Sequence, residues 1–467
     1  MLPSVEPMKQ TQSELPRVLN ASHATSIVVG IIVGSGIFLV PREMMAAVGS
    51  SGLVYTVWIV GGLLSLFGAM TYAEIAAARP KYGGEYAFLR EAYGDLTGFL
   101  YMWTQITVAK PASLATIVAG LTRVLATFAV FSAFDHTAFA HLTWGQLFAI
   151  AATWLITGLN IIGTRDSANV QLVLTWLKGV LIVVIAGFCF AAAGHHGAHV
   201  SWHNFATSFT GARGGFNGFM IALVAALWAY DGWSDVVTLA GEVKQPQRSM
   251  PLALVGGVTI VGALYMLTNA AIQYVLPASA IAAADRPAAD AMTLVAGHWG
   301  GALVSLGMAV SIAATFVGSS LSGARVPFAA ARDGLFFKSL AHVSPRFNTP
   351  SASLVLQAVL TSLLLLFIGR FQALFSLAIF SEWLFYALNC STIFVFRRRD
   401  RSGTRPYSAW GYPVIPSLFI AAAAVLLVYS FLDQPRNSLV GSAIILLGIP
   451  VHYLMQRRAA RAPQLRL

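Results

Sequence analysis

Apolar stretches of at least ~18 residues, long enough to cross a bilayer as a helix, recur along the whole chain with short polar turns between them. They centre near residues 35, 63, 112, 153, 181, 228, 263, 315, 360, 384, 423 and 445 and predict twelve membrane spans. The third is expected to be long and tilted, because apolar character runs from about Thr97 to Phe131. Two stretches are interrupted by helix-weakening residues. The first reads Ile31-Ile32-Val33-Gly34-Ser35-Gly36-Ile37-Phe38, and the second reads Leu227-Trp228-Ala229-Tyr230-Asp231-Gly232-Trp233-Ser234-Asp235. In lipid an interrupted helix exposes backbone polar groups at a cost of several kcal/mol each, so each break must line a cavity enclosed by protein. Matched breaks in corresponding halves of a many-helix chain point to the substrate site of a secondary transporter.

Composition narrows the class. Of 467 residues, 57% are apolar and 10% charged, against about 25% charged in a soluble domain; mean hydropathy is +0.71. The expected fold is an all-α integral membrane protein with no soluble domain left over. Its parts are an N-terminal tail (1–21), a transporter core carrying spans 1–10 (22–396), a loop with spans 11 and 12 (397–455) and a C-terminal tail (456–467).

The net charge of +11 is not a nucleic-acid signature, because its placement follows topology. With the N-terminus inside, the predicted cytoplasmic segments hold 21 Lys and Arg and the external loops five. That asymmetry places both termini in the cytoplasm. Arg397-Arg398-Arg399 is then a topology anchor, with anionic-lipid contact as a secondary role. The first twenty or so residues are polar and carry no signal-peptide pattern. Cys189 and Cys390 both fall inside predicted spans, which argues against a structural disulfide, a metal site or a disulfide-linked partner subunit. No cofactor is expected. His195, His196, His199 and His203 sit in a Gly/Ala-rich loop without cysteine or carboxylate, and read as a solvated loop rather than a metal centre.

At the first break, Gly34 and Gly36 permit backbone conformations closed to Val or Ile. The half-helix that restarts there points amide N–H groups and a positive dipole into the cavity, which suits a carboxylate, and Ser35 adds a hydroxyl. Helix packing through Gly30-x-x-x-Gly34 is the alternative, and it leaves Ser35-Gly36 unexplained. The second break offers carbonyl acceptors for an ammonium group, with Asp231 beside them and Trp228 one turn earlier as a lid or a core aromatic. An anion end and a cation end match a free amino acid.

Charges inside spans are functional candidates by default. They are Lys178 in span 5, Lys110 and Arg123 in span 3 where snorkelling is an option, Glu382 in span 10, Asp231 and Asp235 at the second break, and Glu74 near the cytoplasmic end of span 2. Between spans 2 and 3, Pro80 and Gly83-Gly84 turn the chain into the amphipathic stretch Ala87–Tyr93, either a mobile interfacial gate or a capped turn.

The order of several motifs resembles the amino acid–polyamine–organocation superfamily, and within it bacterial relatives of the L-type amino acid transporters. The motifs are Gly34-Ser35-Gly36-Ile37-Phe38, Pro80-x-x-Gly83-Gly84-Glu85-Tyr86, Trp228 to Trp233 continuing through Gly241-Glu242 to Pro251, Gly318 to Gly323 with Arg332-Asp333-Gly334, and Thr349-Pro350. The resemblance implies a five-plus-five inverted repeat of the LeuT type with broken helices 1 and 6. It implies that Gly34, Ser35 and Gly36 hold the substrate carboxylate and that carbonyls around Ile31, Ile32, Trp228 and Ala229 hold the amino group. Trp228 would be the aromatic gate, and Ser113 would face the pocket. Lys178 would stand in for a sodium ion, with partners near Gly30 and at Ser319 or Ser320. Glu382 departs from the neutral residue of many L-type relatives, and Asp231 from the glycine of animal members.

The resulting expectation is a sodium-independent transporter of neutral L-amino acids working by alternating access, as an exchanger or a facilitator. The rivals are proton-coupled symport through Glu382 or Lys178, and transport of cationic amino acids or polyamines. An integral membrane enzyme would need a nucleophile–base pair or metal cluster, and the spans place no histidine beside the two breaks to serve one. A channel would need a repeated filter or ring of charges, which the chain lacks.

Overall fold

The computed structural model describes residues 15–34, 36–139, 141–192, 200–367, 371–400 and 405–461. Ser35, His195, His196, His199, most of the N-terminal tail and half of the C-terminal tail lie outside them. Among the described residues ten helical stretches are long and apolar enough to cross a membrane. Ser351–Phe367 is a shorter apolar helix, and Phe371–Arg399 is a further helix of 29 residues. The helices relevant to the site are α1 (Ala21–Ile32), α2 (Gly36–Val48), α3 (Ser51–Ala78), α4 (Glu85–Tyr93), α5 (Asp95–Leu125), α6 (Trp144–Ile162), α7 (Thr164–Ala191), α8 (Gly215–Ala229), α9 (Pro246–Val275), α10 (Pro287–Gly323), α11 (Arg325–Arg332), α12 (Ser351–Phe367) and α13 (Phe371–Arg399). A short antiparallel strand pair, Thr137–Phe139 with Leu142–Thr143, is the departure from an all-helical chain.

Burial separates two kinds of apolar helix. α7 leaves Val173, Trp176, Leu177, Val180, Val183 and Phe188 exposed along one side, the surface expected of a helix whose neighbour is lipid. In α1 the residues Ala24, Ile27 and Val28 are fully buried, as are Val236, Val237 and Leu239 of the 3-10 segment Trp233–Glu242. The two broken elements therefore form the innermost layer, and the charged residues they carry must be satisfied by protein.

α4 is neither an interfacial helix nor a simple capped turn. Glu85, Tyr86, Phe88, Leu89 and Ala92 are buried, and the helix is clasped by its neighbours. Tyr86 donates to Asp333 beyond α11 (3.0 Å), while Gly83 N–H donates to Thr238 carbonyl (3.1 Å). Glu74 is also not merely interfacial, since it accepts from Arg397 (2.8 Å) and from the backbone N–H of Ala409 (2.6 Å).

Candidate substrate site

Both breaks form where the sequence puts them. α1 ends at Ile32 and the chain restarts as α2 at Gly36. α8 ends at Ala229, Asp231 N–H turns back to Trp228 carbonyl (3.1 Å), and the 3-10 segment begins at Trp233. The two breaks touch. A Cβ on Gly36 would lie 2.9 Å from the Cα of Ala229, so only glycine allows this approach. Gly232 has φ +97°, and a Cβ there would meet Ile31 Cγ2 at 2.4 Å, so both conformation and space demand glycine.

One residue missed by sequence reasoning ties the breaks together. The Tyr265 hydroxyl in α9 lies 2.9 Å from Ile32 carbonyl and 2.6 Å from Ala229 carbonyl. A hydroxyl has one proton to donate, so one of the two carbonyls stays available to another donor at any moment. The signal was a phenol in the middle of an apolar helix, with nothing in the sequence to say where it points.

Lys178, from α7, reaches the first break. Its Nζ donates to Gly30 carbonyl (2.6 Å), Val33 carbonyl (2.9 Å) and Thr315 Oγ1 (3.1 Å). The expected hydroxyl partners Ser319 and Ser320 are corrected here: they lie one turn or more further along α10, and Thr315 occupies the position beside the ammonium. Ser311 adds a hydrogen bond to Val33 carbonyl (2.9 Å). Ser320 instead accepts from Gln357 of α12 (3.2 Å).

Ser319 belongs to a second cation. Lys110 does not snorkel to an interface: its Nζ binds both oxygens of Asp235 (2.7 and 2.9 Å) and lies 3.3 Å from Ser319 Oγ. Ser322 donates to the same carboxylate (2.8 Å). Beside this ion pair, Asp231 accepts from Tyr386 (2.9 Å) and is in hydrogen-bond contact with Glu382, both from α13.

A cavity of about 50 Å³ lies between the breaks, lined by Ile31, Ile32, Gly34, Gly36, Ser113, Trp228, Ala229, Asp231 and Gly232, with Lys110, Asp235, Thr315 and Ser319. Glu382 stands behind Asp231 and is not on its wall. Trp228 also lines a wider cavity of about 190 Å³ that leads away towards Arg42, Arg123, Asp285 and Asp433. Trp228 is thus common to the walls of both cavities. The opposite, Arg-rich end carries a surface cavity of about 630 Å³ lined by Arg79, Lys81, Glu91 and Arg397, and ion pairs close the substrate cavity off from it. Arg325 and Glu242 form a bidentate pair (3.0 and 3.2 Å) whose side chains are 0% and 1% exposed. Arg79–Glu91, Lys81–Glu91 and Arg90–Asp333, each 2.7 Å, lie further out. Among the described residues no cluster of His, Cys, Asp or Glu is placed to hold a metal ion.

Glu85 in α4 sits beneath the cavity at this closed end, accepting from Tyr72 (3.0 Å) and from Tyr101. Burial pushes its carboxyl up to about 7, opposed by the two phenol hydrogen bonds and helped by the charge of Asp235. Between pH ~4.5 and ~7 the folded protein then keeps a proton that the unfolded chain has lost, so stability falls as pH rises through that window. Thermal unfolding in detergent is expected to show a decline on the order of 2–3 kcal/mol across it, and Glu85→Gln is expected to flatten the profile. A Glu85→Gln profile with the wild-type slope would assign the decline to another group.

The model of the amino acid permease family matches residues 19–454. The serine/threonine exchanger SteT of Bacillus subtilis (strain 168) is 33% identical over 462 residues, covering 97% of this chain and 100% of that protein. The cystine/glutamate transporter of Homo sapiens is 28% identical over 463 residues, with 97% and 88% covered. The b(0,+)-type amino acid transporter 1 of Mus musculus is 29% identical over 439 residues, with 92% and 85% covered.

Proposed function

Because the chain belongs to the amino acid permease family, we propose that it exchanges small neutral L-amino acids across a bacterial inner membrane without sodium. The observation that carries this reading is the meeting of the two breaks around one cavity. The restarted α2 presents N–H groups and the positive end of its dipole at Gly36, while the Ile32 and Ala229 carbonyls share one phenol proton. An α-carboxylate fits the first end and an α-ammonium the second.

Lys178 supports independence from sodium, since a fixed ammonium already holds the carbonyls that a bound cation would otherwise hold. The cavity volume and the hydroxyls of Ser113, Thr315 and Ser319 on its wall favour a short side chain. The proposed architecture is twelve spans with a five-plus-five inverted repeat, spans 11 and 12 lying outside it. The Arg-rich end is cytoplasmic by the positive-inside rule. The closed Arg-rich end and the wider cavity above Trp228 then correspond to a carrier facing outward. Asp231 and Glu382 are assigned to the substrate end of the site, and Lys178, Gly30 and Thr315 to the link between α1 and α10.

The test is uptake of labelled serine, alanine and leucine into proteoliposomes in sodium-free medium, with vesicles empty or preloaded with unlabelled amino acid. Strong uptake of serine or alanine into preloaded vesicles only is the expected result. Dependence on sodium would remove the role given to Lys178. Competition by arginine or putrescine but not by alanine would move the substrate to the cationic class.

A further inference from the structure

Among the described residues four carboxyl groups crowd behind the second break, and one cation, Lys110, faces them. Asp235 is neutralised by Lys110, through two contacts under 3 Å. That leaves Asp231, Glu382 and, one layer further towards the Arg-rich end, Glu85. Glu382 is 5% exposed and Asp231 half-buried. Their carboxyl groups are in hydrogen-bond contact with each other. Two ionised carboxylates have no proton with which to make that bond, and like charges in contact at low dielectric do not both ionise. One shared proton satisfies the contact and leaves a single negative charge.

The neighbours agree with that count. From α13, Tyr386 donates to Asp231 (2.9 Å) and so serves as a donor to the charged member of the pair. Ser234 of the 3-10 segment contacts the same phenol oxygen (3.3 Å). The charged and titratable groups facing the pair from the other elements are Lys110 and Tyr101 of α5, Asp235 of the 3-10 segment and Glu85 of α4. Lys110 is the lone cation among them, and it is already bound to Asp235. Asp231 reaches the cavity wall, whereas Glu382 does not, so the pair has one member exposed to whatever enters and one shielded from it.

We propose that Asp231 and Glu382 form a proton site, which holds one proton between its carboxyl groups while the cavity is empty and releases it when the ammonium end of an amino acid arrives. The site rests on the carrier reading above. An ammonium group brought to the carbonyls of Ile32 and Ala229 lies at the same break as Asp231. Its positive charge favours the doubly ionised pair and takes over the role of the proton. The proton leaves to solvent and no other bond changes. During exchange the loaded carrier crosses in both directions without the proton.

The experiment is proton counting. Amino acid is added to purified full-length protein in weakly buffered detergent solution near pH 7 with a pH indicator, while binding is followed in the same sample with labelled serine. The wild type is expected to release up to about one proton per bound amino acid, by linkage. Glu382→Gln, measured at a serine concentration that saturates it, is expected to release less than about a fifth of that per bound amino acid. Asp231→Asn removes the other half of the pair and is expected to do the same, so a single misfolded variant does not decide the matter. Binding without proton release in the wild type overturns the proposal. Equal release per bound amino acid in wild type and both variants also overturns it, and assigns the proton to another group. If the wild type binds none of the twenty amino acids, the carrier reading itself fails and the proton site falls with it.

Discussion

Lys178→Met is expected to lower the initial rate of amino acid exchange by about ten- to a hundredfold, a loss of roughly 1.4–2.7 kcal/mol. The lysine is buried, and its three N–H groups go to two carbonyls of the broken α1 and to Thr315. Hydrogen bonds to a charged group are worth about 1.5–3 kcal/mol each. The expected loss is smaller than their sum because Ser311 still donates to Val33 carbonyl and Thr315 can turn to Gly30 carbonyl. Methionine keeps most of the volume, so the effect isolates the charge and its donors from a packing defect. Counterflow rates per unit of monodisperse protein measure it, with and without sodium. Partial recovery in sodium is expected, since a small cation would return positive charge to the same carbonyls. A variant within twofold of wild type would remove Lys178 from the mechanism.

Glu242→Ala is expected to destabilise the protein by about 3–5 kcal/mol, because it leaves the Arg325 guanidinium without its carboxylate in a place from which water is excluded. Loss of yield and of thermal stability in detergent are the readouts. The double variant Glu242→Leu/Arg325→Met removes both charges and is expected to recover most of the stability, because apolar groups of similar size can replace a buried ion pair at little cost. It is not expected to recover transport. The pair joins the 3-10 segment after the second break to the start of α11 at the closed end of the cavity. Release at that end requires these elements to part and water to enter. Two ions gain hydration when that happens and two apolar side chains lose contacts, so the double variant favours the closed state. Stability recovered together with a wild-type exchange rate would mean that this contact does not separate during transport.

The membrane class, the helices and the location of both breaks were legible in the sequence because each depends on local properties. Length and hydropathy decide whether a segment spans, and glycine at 34, 36 and 232 decides where a helix can stop. The ends that a free amino acid would meet follow from the same facts, since a restarted helix always offers N–H groups and an ended one always offers carbonyls. Asp231 and Trp228 were placed near the cavity by their positions at the second break, and Ser113 by the resemblance to the family.

Partners were another matter. Lys110 and Lys178 are the same residue type, each in an apolar span, and a lysine in that setting can snorkel, pair with a carboxylate or cap carbonyls. Which outcome occurs depends on the helix packed opposite, 125 residues away for Asp235 and 137 for Thr315. Ser319 was expected beside Lys178 and lies beside Lys110 because the axial offset between α7 and α10 differs from that expectation by one turn, about 6 Å over four residues. Tyr265 and the Asp231–Glu382 contact were hidden for the same reason. A sequence determines which groups each helix carries and on which face, through the 3.6-residue period. The rotation and sliding of helices far apart in the chain are set by the packing of every side chain at once, and that packing alone decided which charge met which.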